Sequence, residues 1–166
     1  MKTFRLIGMA FIAILMCVNF ASCSSDDDET KVNEAAFEGT WYLYSERWCG
    51  YNSDGTPTMD FSPTKNYPYH SDVRVWTITK NSNGNYTLRE SENNGWPDID
   101  ELELIKKNTY KLGIDLFTIK KLTGKEMVLE YIDNYFDFFD KDGNLVKIDP
   151  YGMVEELEFG YYSFTR

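Results

Sequence analysis

The residues best suited to bind a ligand lie in, or just before, one long segment that has the period of neither a helix nor a strand. This segment, Cys49–Asp72, mixes aromatic residues with Asn, Asp and Pro. Aromatic faces stack on sugars or apolar ligands, and neighbouring amides and carboxylates can bond hydroxyl groups. The predicted ligand-binding residues are Trp48, Tyr51, Tyr67 and Tyr69. The alternative is that their rings only hold the segment against the fold.

Catalytic groups are scarce, because the chain holds a single histidine and three cysteines. His70 is the one imidazole that could serve Cys49 as a base, and nothing in the sequence pairs the two. Glu101 and Glu103 have the same-face spacing of a strand, but such pairs arise by chance in an acidic chain and indicate glycosidase chemistry only weakly. We therefore predict a protein that is not an enzyme.

Motifs for a cofactor or a metal ion are absent from the sequence. Asp140–Asn144 has the composition of a calcium loop, but aligning Gly143 with the sixth loop position puts Phe138 where the first carboxylate belongs. A turn explains this segment better. One histidine cannot build a multi-His zinc site, and no phosphate loop or dinucleotide fingerprint is present. We predict neither a metal nor a cofactor.

Composition limits the class of protein. The 166 residues include 17 Lys and Arg against 27 Asp and Glu, which gives a formal net charge of −10. Nucleic-acid binding needs clustered basic side chains, so that function is excluded. Hydrophobic residues make up 42% and aromatic residues 16%, which is enough for one folded domain.

The N-terminal residues have the layout of a secretory signal. Lys2 and Arg5 precede the apolar run Leu6–Phe20, which is short for a membrane span. Phe20–Cys23 then resembles a bacterial lipobox, in which the cysteine becomes the first mature residue and carries lipid. The resemblance implies a signal peptide over residues 1–22 and acyl chains, such as palmitate, on Cys23.

An acidic stretch follows the predicted lipidation site. Ser24–Glu29 cannot bury itself, so we predict a flexible tether over residues 23–36. The stretch also resembles the export signal that sends some Gram-negative lipoproteins to the outer face of the outer membrane, which implies a lipid-anchored, cell-surface location. A plain solvated linker is the alternative. With Cys23 acylated and Cys17 removed, Cys49 has no partner for a disulfide.

From Gly39 onward, short β-branched and aromatic segments alternate with turn residues, which is typical of an antiparallel all-β domain. Val73–Lys80 alternates with a period of two, and an Asn-Gly turn leads from it into Tyr86–Ser91. The other predicted strands are Gly39–Trp48, Phe117–Leu122, Met127–Phe136 and Met153–Thr165.

Two further regions complete the predicted sheet. A second hairpin is predicted around Asp140–Asn144, between Phe136–Phe139 and Leu145–Ile148. Ile99–Leu112 is interpreted as a strand, with a helical turn after Pro97 as the alternative. The total is about eight strands, the number at which a meander can close into an up-and-down barrel and remove its exposed edges. A β-sandwich is the alternative.

Residues at both ends of this domain resemble those of lipocalin-type barrels. Phe37–Leu43 contains the Gly-x-Trp pattern of the first lipocalin strand. Phe117–Leu129 and Tyr162–Arg166 resemble late strands of lipocalin-like domains on bacterial lipoproteins. The resemblance covers residues 37–166. The second lipocalin motif, Thr-Asp-Tyr, is replaced by the loosely similar Ile132–Tyr135.

The resemblance implies structural roles for three residues. Gly39 would allow the chain to turn sharply into the barrel, Trp41 would fill the closed end, and Arg166 would stack over Trp41. It also implies that the first connection, Cys49–Asp72, is a lid over the open end.

The expected function is that of a lipid-anchored, non-enzymatic envelope protein that binds a small apolar or glycan ligand at the barrel mouth. The alternative is a protein-interaction module of an envelope complex, with a barrel filled by its own side chains. Large residues on the central strands, Trp76, Met127, Leu129 and Tyr131, favour a filled interior.

Overall fold

The computed structural model describes residues 32–52, 55–146 and 157–166. The predicted signal peptide, the lipidation site Cys23 and the acidic stretch Ser24–Glu29 lie outside the described residues. Neither of the described helices, the 3-10 turn Glu34–Ala36 and the single turn Tyr135–Phe138, is long and apolar enough to cross a membrane.

The described chain forms nine strands and two short helical turns. The elements in chain order are the 3-10 turn Glu34–Ala36, β1 Gly39–Gly50, β2 Lys65–Asn66, β3 Val75–Lys80, β4 Tyr86–Ser91, β5 Asp98–Lys106, β6 Thr109–Leu112, β7 Asp115–Leu122, β8 Glu126–Asp133, α1 Tyr135–Phe138 and β9 Glu158–Thr165.

Eight of the strands close into an antiparallel barrel, which confirms the predicted fold class over the sandwich. Strands β3 to β9 pair in sequence order, and β1 pairs with β3 on one side and β9 on the other. The closing register runs from Tyr42 opposite Thr165 to Gly50 opposite Glu158, with an irregularity between Leu43 and Ser45. The short β2 pairs with the outer part of β1 and lies outside the eight-strand circuit.

Alternation along each strand explains which side chains enter the barrel. On β8, Met127, Leu129 and Tyr131 are buried, while their neighbours on the outer face are partly exposed. The inward residues of the other strands join them in one core. Its fully buried large members include Trp41, Leu43, Trp76, Ile78, Leu88, Leu102, Phe117, Met127, Leu129 and Phe164. Burial of this apolar surface is the main stabilising contribution to the fold.

One end of the barrel is closed by residues 32–38 and by Arg166. Val32 bridges Leu122, so the described chain already contacts the barrel within the segment predicted as tether. The Arg166 guanidinium lies 4.0 Å from the centre of the Trp41 ring and donates a hydrogen bond to the carbonyl of Ala36. Glycine is favoured at position 39 because its φ of 129° is one that other residues rarely adopt, and a Cβ there would also lie 2.9 Å from the Arg166 side chain.

Two predicted elements differ in the structure. Ile99–Leu112 contains two strands, β5 and β6, because Lys107 and Asn108 form a tight turn in which Asn108 has φ of 60°. Asparagine tolerates this left-handed conformation better than most residues. The segment is therefore a hairpin of its own.

The second predicted hairpin is present in a shorter form. Phe139 bridges Leu145 antiparallel across the turn Asp140–Asn144, and the Val146 N–H donates to the Phe138 carbonyl. The first arm is shorter than predicted because Tyr135–Phe138 is the helical turn α1, and the second arm is described only as far as Val146. The helical turn lets Phe138 bury its side chain and brings the rings of Tyr135 and Phe139 to 4.8 Å. The sequence has alternating aromatic residues there, but packing of the rings favours a turn over a strand.

Candidate functional site

The open end of the barrel contains a cavity of about 590 Å³. It lies where β3, β5, β7 and β9 begin and where β4, β6 and β8 end, opposite the Trp41–Arg166 contact. Its acidic lining residues are Glu90, Glu92, Asp98, Asp100, Asp115 and Asp133, and its basic lining residue is Arg74. Tyr131, Tyr162 and Trp96 supply aromatic surface to the same cavity.

Strand register brings these charges together. Glu90 lies opposite Asp98, and Leu88 lies opposite Asp100, so the β5 carboxylates extend the inward row that begins at Leu102. Arg74 lies directly before β3, in phase with the buried Trp76. Each of these strands therefore carries apolar inward side chains near the closed end and charged ones at the mouth.

Arg74 is the centre of one hydrogen-bonded group. Its Nε lies 3.0 Å from the Glu90 carboxylate and 2.8 Å from that of Glu92, and its Nη1 donates to the Tyr162 hydroxyl. Although burial lowers the pKa of Arg74, these acidic neighbours raise it overall. Burial also raises the pKa of Glu90, while Arg74 opposes that rise. The guanidinium therefore stays charged and is already engaged by two carboxylates.

A second group lies across the cavity on β7 and β8. The Tyr131 hydroxyl donates to Asp115 at 2.6 Å, and the backbone N–H of Asn134 donates to the other Asp115 oxygen at 2.8 Å. The pKa of Asp133 is raised to about 6 by burial, by its hydrogen bond with Asp115 and by the negative charge of Asp115. Asp115 also raises the pKa of Glu90, so the charges of the two groups influence each other across the cavity.

Trp76 lies next to the mouth residues in the packed core and is not among the residues that line the cavity. It is fully buried and lies opposite Glu90 in the β3–β4 register. Its indole Nε1 makes no hydrogen bond of ordinary geometry among the described residues, but the N–H is directed at Glu90 and partly offsets the rise in the pKa of that carboxyl that burial causes. Glu90 is thus the acceptor that this buried N–H faces.

Of the four predicted ligand residues, Trp48 comes nearest to the cavity. Its ring packs edge-on against Tyr131 and Tyr162, with centroids 6.0 and 5.1 Å apart, and so contacts two of the lining residues. The Tyr67 hydroxyl donates a hydrogen bond to the Glu46 carboxylate on β1. Neither residue is among those that line the cavity.

The other two predicted residues lie elsewhere on the barrel. Tyr51 packs against Phe139 and Phe159 on the outer wall, and burial raises its pKa. Tyr69 is 70% exposed, and its hydroxyl donates to the Arg166 carbonyl at 2.7 Å, near the closed end. The structure therefore does not bring the four residues into one site, and their role in ligand binding stays a prediction.

The segment Cys49–Asp72 is held along the outside of β1. The Tyr67 N–H donates to the Tyr44 carbonyl, the Ser62 N–H donates to the Trp48 carbonyl, and β2 pairs with β1. No described residue of the segment lines the cavity. The family resemblance implies a lid over the open end. The described part of this segment lies instead along the outer surface of the barrel.

The remaining sequence candidates also lie away from the cavity. His70 stacks between Tyr69 and Tyr42, with ring centroids 3.9 and 4.5 Å away, and Cys49 is buried without a disulfide. Glu101 accepts a hydrogen bond from Asn85 on the outer face of the sheet.

The mouth residues that the sequence analysis missed had one usable signal. Arg74 and Glu90 stand in phase with the apolar residues of β3 and β4, at positions where a barrel expects core side chains. Charged residues continuing an inward apolar row indicate a wet or occupied end of the barrel.

The carboxylates of the mouth are spread over several strands. Within the described ranges, no three His, Cys, Asp or Glu side chains are grouped closely enough to hold a metal ion. The arrangement can instead offer separate hydrogen-bond acceptors and aromatic faces to an organic molecule. No protein-family model matches the chain, and a search of curated proteins returns no similar sequence.

Proposed function

We propose that the protein is a non-enzymatic, lipocalin-like binding protein that takes a small polar ligand, in the manner of a glycan, into the mouth of its barrel. The N-terminal sequence supports the proposal that it does so at the bacterial envelope, anchored by lipid on Cys23 and exposed at the cell surface.

The observation that carries this proposal is the mouth cavity itself. The closed half of the barrel is filled by its own aromatic and aliphatic side chains, whereas about 590 Å³ stays open above them. Ligand sites of proteins typically measure about 300–1,000 Å³. The closed half of the barrel is therefore packed and stabilises the fold, while the mouth half keeps a volume that a ligand could occupy.

Polarity of the lining favours the glycan class over the apolar class. An apolar molecule would cover Arg74, Asp115 and Asp133 without bonding them, and burying charged groups without partners is costly. A hydroxylated ring can bond carboxylates with its edges and rest its apolar face on Tyr131 or Tyr162. The lining thus supports a ligand rich in hydrogen-bonding groups.

Protein interaction is the second candidate, and exposed apolar residues favour it. Trp96 is 96% exposed at the rim, and Ile99 and Leu104 on β5 are 67% and 61% exposed. Exposed apolar side chains of this size mark contact surfaces when they cluster. This candidate requires a partner that covers the rim, and such a partner would also block the cavity.

Native mass spectrometry of the protein purified from its own envelope tests the proposal. We expect an adduct of small-molecule mass that disappears after solvent extraction. A Gly113→Trp variant should lose the adduct, because Gly113 lines the cavity and its side-chain position is open space.

The matched control is Gly84→Trp in the β3–β4 turn at the closed end. Gly84 also has open space around it, and its φ of 92° is less accessible to other residues than the 58° of Gly113, so the control carries at least as much backbone strain while the mouth is untouched. The control should keep the adduct. A co-purifying protein without any small molecule would overturn the proposal in favour of the second candidate.

A further inference from the structure

Trp96 differs from the other tryptophans of the chain, because it lies at the rim of the mouth cavity and is 96% exposed. Trp41 and Trp76, in contrast, are fully buried in the core. A side chain with so little packing contributes little to the stability of the fold. Tyr131 and Tyr162 line the same cavity but are buried. The cavity therefore has aromatic rings at two depths, one at the rim and two inside.

The loop that carries Trp96 is held in a defined conformation. The Asn93 N–H donates to the Asp72 carbonyl at 2.8 Å, and Asn93 has φ of 49°, a left-handed conformation that asparagine tolerates. The Gly95 N–H donates to the Glu92 carbonyl at 2.7 Å, and a Cβ at position 95 would lie 2.9 Å from that oxygen. A ring carried by an ordered backbone loses less conformational entropy when it binds a ligand.

The surroundings of Trp96 distinguish it from a protein-contact patch. Ile99 faces the outside of β5, because Asp98 and Asp100 on either side of it face the cavity, and Leu104 lies about 17 Å further along the strand. Exposed apolar residues indicate a protein-binding surface when they cluster, and these three are dispersed. Trp96 instead offers one apolar face beside hydrogen-bond acceptors. A sugar ring, which has apolar faces and hydroxyl groups at its edges, is complementary to such a surface.

The charge of the lining limits the class of sugar. Six carboxylates and one guanidinium, that of Arg74, belong to the described lining, and Glu90 and Glu92 already engage that guanidinium. A sugar acid would place a further negative charge beside these carboxylates, and like charges repel in a partly buried site. The hydroxyl groups of an uncharged sugar can donate hydrogen bonds to the same carboxylates. The lining therefore selects against acidic glycans.

We propose that the mouth cavity binds the end of a non-acidic glycan chain, with one sugar unit inside the cavity against Tyr131 or Tyr162 and a following unit stacked on Trp96 at the rim. This inference rests on the proposed function and specifies its ligand as an oligosaccharide. A chain end contacts the rings at both depths, whereas a single sugar unit contacts the rings at one depth only. Trp96 is then the residue that determines specificity for a chain.

A glycan array tests the inference, with the purified protein applied to neutral, uronic-acid and sialylated glycans that range from single sugars to longer oligosaccharides. We expect binding to neutral oligosaccharides and none to the acidic ones. Each neutral oligosaccharide that binds is then titrated beside its component monosaccharide. The oligosaccharide should bind at least about tenfold more tightly, because only the chain gains the contact with the exposed ring.

Tryptophan fluorescence shows whether the bound chain covers Trp96. Since Trp41 and Trp76 are fully buried, quenching by acrylamide reports mainly on the exposed indole at the rim. We expect an oligosaccharide bound in the array to reduce this quenching and its component monosaccharide to leave it unchanged. A glycan held elsewhere on the barrel would not protect the rim indole.

Variants of the ring complete the test. Trp96→Ala should lower the affinity for the oligosaccharide by about tenfold or more, and Trp96→Phe should keep it within about threefold, because phenylalanine retains an aromatic face. Both variants should unfold at the same urea concentration as the natural chain, since the ring packs on almost nothing. The matched control is Tyr44→Ala, which removes an exposed ring from β1 outside the described lining and should leave the affinity unchanged.

The outcomes distinguish the inference from the proposed function. Equal affinities for an oligosaccharide and its monosaccharide, preferred binding of acidic glycans, or equal losses in Trp96→Ala and Tyr44→Ala would overturn the chain-end inference and leave a polar-ligand function. An array without binding overturns the inference, and absence of the native small-molecule adduct as well overturns the proposed function. A co-purifying protein that Trp96→Ala releases would overturn both in favour of protein interaction.

Discussion

The two halves of the barrel interior are built from the same strands and yet differ in kind. In the closed half, Trp41, Trp76, Phe117 and Phe164 are fully buried in one core, where the Trp76 ring packs against Phe117 and Phe164. In the mouth half, the inward positions of the same sheet carry Arg74 and carboxylates around a cavity. The closed half supplies stability, and the mouth half departs from core chemistry, as expected where a site must stay accessible.

Removing a ring from the closed half should have the largest effect on stability. Phe164 is fully buried, and its ring centre lies 4.8 Å from that of Trp76. We expect Phe164→Ala to lower the free energy of unfolding by about 3–5 kcal/mol, measured by urea denaturation. Ile99→Ala, at an exposed position, should change it by less than about 0.5 kcal/mol. Similar losses in both variants would contradict a core confined to the inside of the barrel.

Removing the cation of the mouth half should have a smaller effect that depends on pH. Arg74→Met leaves Glu90 and Glu92 facing each other, and we expect a loss of about 2–3 kcal/mol at pH 7, less than for a fully buried pair because the site is partly hydrated. The loss should shrink as pH falls, since the raised pKa of Glu90 lets it take up a proton early. Urea denaturation at pH 7 and pH 5 measures both effects.

The control for this variant is Arg89→Met, which removes an exposed arginine from the outer face of β4. It should leave the free energy of unfolding within about 0.5 kcal/mol at either pH. A loss for Arg74→Met that did not change with pH would mean that packing of its side chain, and not its charge, stabilises the mouth.

Neutralising Asp133 should have the smallest effect and the opposite sign. Its pKa is about 6 in the folded protein against an ordinary 3.8, so the folded state binds the proton more tightly than the unfolded state. Stability is then lost as pH rises from about 4 through about 6. Asp133→Asn removes this loss and should raise the free energy of unfolding by about 1 kcal/mol at pH 7, after allowance for solvent screening.

Thermal denaturation at pH 7.5 and pH 4 measures this gain. The variant should melt higher than the natural chain at pH 7.5 and close to it at pH 4, where Asp133 is protonated in both states. Asp137→Asn, an exposed carboxylate on α1, is the control and should not shift the melting temperature at either pH. A gain that persists at pH 4 would contradict the assignment of the strain to the Asp115/Asp133 pair.

The sequence was informative where local signals decide the structure. Val75–Lys80 and Tyr86–Ser91 pair through the turn that contains Gly84, because a period of two and an Asn-Gly turn are both local. The sequence was misleading where aromatic residues could belong either to a strand or to a helical turn, as at Phe136–Phe139. There the outcome depends on which rings are available to pack against, and that is a property of the assembled fold.

The charged positions of the mouth could be read from the strand pattern, but their grouping around one cavity could not, for a related reason. Arg74, Asp98, Asp115 and Asp133 belong to separate strands, and only the closing register between β1 and β9 brings them around one opening. The aromatic segment Cys49–Asp72 looked more like a site, because its residues are adjacent in the chain. Residues that are adjacent in the sequence need not be adjacent in a barrel. The cavity is formed by residues that are close in space and distant in the sequence.

The bridge between Val32 and Leu122 fixes how the molecule would be presented by whatever holds its N-terminal side. The chain reaches the barrel beside Trp41 and Arg166, at the pole opposite the cavity. The cavity therefore opens away from the end at which the described chain enters the barrel.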